Sequence, residues 1–202
     1  MEAKKASLAE LTDYEKLIDS LGREIAVLYE ICGGLRELVD QTKSYPEQYE
    51  KFKTFFYITY RSWYHEVYHG VSRLIDTSKG AVSLIKLLKT EEKDKPTGRR
   101  ELQKIEKELS KRIEENEIAK KMKNFRDKKL GHKNKQLVLN AVLANQFFEE
   151  NQLNLDDVEA LLHVLGDALK KASERSSFRI LTLPVTPIRA EIRNLFEHLS
   201  VK

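Results

Sequence analysis

Leu8, Leu11, Leu17, Leu21, Ile25, Leu28, Ile31, Leu35 and Leu38 recur mostly at steps of three or four residues and draw one long apolar stripe. That spacing follows the 3.6-residue turn of an α-helix, whereas a half-buried strand would alternate every second residue. The stripe predicts a helix over residues 7–42, ended by Tyr45-Pro46, with Gly33-Gly34 as the expected kink. A helix of that length needs few turns around it. Eight glycines and four prolines in 202 residues agree, since average usage would give roughly 24 such breakers in a chain this long.

A second helix is expected over 47–76 and carries nine of the 17 aromatic residues: Tyr49, Phe52, Phe55, Phe56, Tyr57, Tyr60, Trp63, Tyr64 and Tyr68. Such a stripe can stack nucleic-acid bases, but at helical spacing the expected role is core packing. His65 and His69, four apart on the same helix, have a spacing that can hold a metal. No third ligand is evident, so no metal is expected there. A short apolar helix over 81–88 follows, then a charged linker over 90–99. A third long helix is expected from about Arg99 to Leu130, rich in Glu–Lys pairs four apart. Gly131 is placed to stop it, because glycine adopts the left-handed C-cap conformation without steric penalty. Residues 133–153 carry no clear pattern. Asn154-Leu-Asp-Asp reads as the N-cap of a helix to about Glu174, with His163 in its apolar pattern as a packed or interfacial residue. Residues 177–185 look extended, and Thr186-Pro187 opens a last amphipathic helix to about Leu199. The expected fold is therefore all-α: an up-and-down bundle of four to five helices over 1–176, with 177–202 as an extended segment and a short helix packed on it.

The charge is modest in sum and uneven in place. The chain is +4, yet residues 120–135 hold eight basic residues and one acid, and the remainder has 28 basic against 31 acidic. Lys120, Lys121, Lys123, Lys128, Lys129, Lys133 and Lys135 can be a solvated helix end or a footprint for a polyanion such as RNA. The lone cysteine, Cys32, excludes an internal disulfide and any cysteine-based zinc cluster, which suits a reducing compartment. No apolar run approaches the ~20 residues needed to span a bilayer, and Met1-Glu-Ala-Lys-Lys lacks the apolar segment of a secretory signal. A soluble, cytoplasmic protein without membrane partners is expected.

Glycine-rich phosphate loops, nucleophile elbows and catalytic thiol settings are absent from the sequence. One constellation remains, Arg126-Asp127-Lys128-Lys129-Leu130-Gly131-His132. It puts an arginine in the last turn of a long helix and a histidine just past the glycine stop. Arginine offers a permanently charged fork that matches two phosphate oxygens, and histidine exchanges a proton near neutral pH. A ribose 2′-OH relieved of its proton can attack the adjacent phosphodiester while the guanidinium stabilises the developing charge. That route needs neither a metal nor an organic cofactor. Asp127 either orients a contacting group or neutralises a lysine. A second Arg-x4-His spacing, Arg193 to His198, has neither glycine break nor lysine cluster. It lies inside an amphipathic helix and reads as structural.

Arg126-x5-His132 at the end of a long helix resembles the Arg-x4–6-His motif of the HEPN superfamily, and Gly131 matches the small residue common before its histidine. Arg73-Leu-Ile-Asp76 and Ser83-Leu-Ile-Lys-Leu-Leu88, after a long aromatic helix, resemble the AbiU-type abortive-infection branch. The resemblance covers about residues 10–175. It implies a helical, metal-independent endoribonuclease, a toxin or abortive-infection defence protein, with Arg126, His132 and Asp127 as the catalytic set. It further implies RNA as substrate, a homodimer that faces two motifs across one cleft, and a cognate antitoxin protein as partner. The alternatives are a non-catalytic helical interaction module of the same type and an RNA-binding protein that does not cleave.

Overall fold

The structure, a computed structural model, describes residues 11–89, 100–125, 127, 154–174 and 188–200. Among these the elements are all helical: α1 (Asp13–Ser44), α2 (Pro46–Lys51), α3 (Lys53–Leu74), α4 (Leu84–Lys89), α5 (Arg100–Glu115), α6 (Glu117–Phe125), α7 (Leu155–Ser173) and α8 (Ile188–Ser200). The all-α expectation holds. The helical segments outnumber the four to five expected because two of the long helices are divided.

α1 starts at a capping box in which Thr12 Oγ1 accepts from the Glu15 amide and the Glu15 carboxylate accepts from the Thr12 amide. Its buried residues Ile18, Leu21, Ile25, Leu28, Cys32, Leu35 and Leu38 keep the three-four spacing along ~30 Å of helix. α3 runs antiparallel beside it: Gly70 meets Leu28, Trp63 meets Gly34, and Arg73 binds Glu24 at 2.8 Å. α7 is also antiparallel to α1. Tyr14 donates to the Ala172 carbonyl at 3.1 Å near one end, and Arg36 binds Asp156 and Glu159 near the other. Two hydrogen-bonded carboxylates hold the Arg36 pKa above its ordinary value. α4, α5 and α6 close the main core over α1, α3 and α7 with Leu84, Ile85, Leu88, Ile113 and Met122.

A second, smaller core lies where α8 packs parallel to α1, with Arg189 and Ile188 over Gly33 and Gly34. It joins Leu38, Phe56, Ile192 and Phe196, and the Phe56 and Phe196 rings stack at 4.6 Å. The helix is not broken at Gly33-Gly34: both glycines are buried within an uninterrupted α1. Without Cβ atoms they let Arg189, Ile188 and Trp63 approach the α1 backbone, so the pair serves packing.

The helix expected over 47–76 divides at Phe52, whose φ of −118° and ψ of 24° leave the helical region between α2 and α3. The third long helix divides at Asn116, whose side-chain oxygen accepts from the Ile118 and Ala119 amides at 2.9 and 3.1 Å and starts α6 anew. The Asn154 reading is reproduced by a capping box with Asp157 at the start of α7. His163 is exposed, with its ring edge-on to Tyr29 at 5.1 Å. The expected extended segment, and Thr186-Pro187, lie outside the described residues.

Candidate functional site

α6 is anchored to the bundle along one face and at its C-terminal end. Ala119, Met122 and Phe125 are its buried residues, three apart, so the lysines between them face outward. Lys120 and Lys123 are exposed and Lys121 is half-buried. Lys120 binds Glu117 at 2.7 Å, and that hydrogen bond lowers the Glu117 pKa from the ordinary carboxylate value. Phe125, immediately before Arg126, is sunk against Tyr68 of α3 with ring centroids 4.9 Å apart.

Tyr68 belongs to a ladder on α3. Tyr64 donates from its hydroxyl to that of Tyr68 at 2.8 Å, their rings lie 4.6 Å apart, and Tyr60 stacks on Tyr64 at 6.1 Å. Burial raises the Tyr64 pKa above that of a free phenol. The C-terminal end of α6 is thus pinned by aromatic packing, a firmer anchor than exposed ion pairs.

Of the residues singled out in the sequence, Lys120, Lys121, Lys123 and Asp127 are described, and Asp127 is exposed. Arg126, Lys128, Lys129, His132, Lys133 and Lys135 lie outside the described residues, so the geometry of the Arg126–His132 pair is not part of the structure. The rival spacing has a structural use. Arg193 grips Glu37 of α1 through both carboxylate oxygens at 2.7 and 2.9 Å, and His198 Nδ1 lies 2.9 Å from the Asn194 carbonyl.

His65-Glu66-Val67-Tyr68-His69 on α3 has two residues between Glu66 and His69, the His-Glu-x-x-His order of zinc peptidases and not one residue longer. Here Glu66 binds Arg73 at 3.0 Å, and among the described residues no group of three or more His, Cys, Asp or Glu side chains is placed to hold a metal ion. No helix among the described residues is long and apolar enough to cross a membrane.

The HEPN family model described as AbiU2 matches residues 11–178, a span that includes the aromatic helix, the lysine-rich window and the Arg126–His132 stretch. The chain belongs to the AbiU2 family. The match ends before α8, so the helix that completes the second core lies beyond the part of the chain shared with the AbiU2 family. Neither a curated protein nor a solved structure matches the chain.

Proposed function

We propose that this AbiU2-family protein is a metal-independent endoribonuclease acting in abortive-infection defence. The observation that carries the reading is the AbiU2 family match over residues 11–178, within whose span the sequence has Arg126 and His132. The anchoring of Phe125 one residue before Arg126 supports it, as does the use of Arg193 in a structural contact.

His132 in its neutral form takes the proton from a ribose 2′-OH, and that oxygen attacks the adjacent phosphorus. Arg126 stabilises the charge on the phosphoryl oxygens, and Asp127 orients a contacting group at the site. The P–O5′ bond breaks, and the departing 5′-oxygen takes a proton from the protonated His132 of a second copy. The products are a 2′,3′-cyclic phosphate and a 5′-hydroxyl. A homodimer is therefore part of the reading. So are RNA held by Lys120, Lys121, Lys123, Lys128, Lys129, Lys133 and Lys135, a cytoplasmic location, and a cognate antitoxin protein that restrains the enzyme.

The test is incubation of the purified protein with total RNA in EDTA, beside its His132→Ala and Arg126→Ala forms. Wild type alone should yield fragments ending in 2′,3′-cyclic phosphate. Unchanged cleavage by Arg126→Ala would overturn the assignment. RNA left intact by the wild-type protein, freed of any co-purifying partner, would favour the non-catalytic interaction module.

A further inference from the structure

The aromatic stripe of α3 is only partly core. Phe56 and Tyr68 are buried, but Tyr57 on the same helix is 56% exposed. Tyr57 and Tyr60 line a groove of about 150 Å³ with Tyr49 of α2 and Leu38 and Thr42 of α1, and the buried Phe56 ring is part of the same lining. We propose that this groove binds one unpaired base of a single-stranded RNA. The inference rests on the ribonuclease reading for its ligand and names a subsite that the reading does not contain.

Size argues first. An apolar cavity of ~150 Å³ accepts one aromatic ring, whereas a docked partner helix needs a trough wide enough for a cylinder ~10 Å across. The lining argues next, because tyrosine and phenylalanine faces stack with any base. Thr42 Oγ1 donates to the Val39 carbonyl at 2.8 Å, which leaves its lone pairs to accept from the edge of a base.

Charge argues third. Lys53 sits 6.0 Å from the Tyr49 ring centroid, although it also binds Glu50 at 3.0 Å, and Arg61, next in the chain to Tyr60, is exposed. Lys53, against a ring of the lining, suits a phosphate beside a bound base. Finally, the groove stands at one end of the aromatic ladder that anchors α6. Tyr60, Tyr64 and Tyr68 carry the aromatic track from Tyr57 to Phe125, ~16 Å along α3 from Tyr57 to Tyr68.

The experiment measures binding of the full-length protein to a fluorescent ten-nucleotide 2′-O-methyl oligouridylate, which lacks the 2′-OH nucleophile and reads affinity apart from catalysis. An abasic chain of the same length is the comparison. The base-bearing chain should bind about tenfold more tightly, the effect of one stacked base. Tyr57→Ala should erase that preference, Tyr57→Phe should keep it, and Phe55→Ala, equally exposed but outside the groove lining, should leave it unchanged.

A base preference that survives Tyr57→Ala, in a protein that still cleaves RNA through His132, overturns the base site. The ribonuclease reading then stands, and the groove is left to an apolar side chain of a protein partner. Equal loss of affinity for both chains also overturns it, because phosphate contacts would then account for the effect. A wild-type protein that neither binds the chains nor cleaves RNA overturns both readings.

Discussion

A missing methyl group matters differently at two glycines of the bundle. A Cβ at Gly70 would lie 2.4 Å from Leu28 Cδ2, and Leu28 is fully enclosed between helices. Alanine at Gly70 gains about 1 kcal/mol of helix propensity but forces a repacking that costs about 1–3 kcal/mol. We expect Gly70→Ala to destabilise by up to about 2 kcal/mol, each kcal/mol lowering the melting temperature by about 2–4 °C in a chain of this size. At Gly33 the three atoms nearest the Cβ all belong to the guanidinium end of Arg189, an exposed residue whose flexible side chain can swing aside. Gly33→Ala should therefore be neutral or stabilising by up to about 1 kcal/mol. Thermal melts of the two variants beside wild type decide both. No periodicity argument separates these glycines, because the difference lies in what each one touches across a helix interface.

At the scale of elements, α8 is held by a small aromatic core and by the Arg193–Glu37 pair. The hydrogen bond from Arg193 holds the Glu37 pKa below the ordinary carboxylate range. A carboxylate with a depressed folded-state pKa contributes stability above its unfolded pKa and loses it as pH falls through the folded value. Arg193→Gln should therefore melt below wild type at neutral pH, with the gap closing as acid protonates Glu37. A gap that persists in acid would show that Arg193 acts by packing alone. The sequence carries α7 and α8 clearly and α1 in outline, because caps and apolar stripes are local: Asn154 announces α7, whereas the stripe puts the start of α1 at residue 7 and the Thr12 capping box opens it at Asp13. It does not carry the breaks at Phe52 and Asn116. Phe52 follows from how α2 and α3 pack, and Asn116 looks like one more polar residue on a charged helix until its side chain is seen to cap α6. The candidate site is legible as Arg126, His132 and the lysines around them. The aromatic anchor under it is not, since the pairing of Phe125 with Tyr68 joins residues far apart in the chain.

Over the whole molecule the positive charge is concentrated in one window of an otherwise slightly acidic chain. Each phosphate neutralised on a single strand adds about 0.7 to the slope of log affinity against log salt. Replacing Lys120, Lys121 and Lys123 together by Gln should lower that slope by up to about 2, whereas an unchanged slope would place all three outside the RNA path. A different whole-molecule property follows from Cys32, which sits midway along α1 with no exposed surface. Burial, reinforced by Glu159, pushes its thiol up to about 12, so the native thiol is both hidden and almost wholly protonated. An alkylating reagent can reach it only when α1 parts from its neighbours. The trapping rate of this single sulfur is therefore a clock for opening of the bundle. RNA that closes α1 and α3 together should slow that clock, and a destabilised core such as that of Gly70→Ala should speed it.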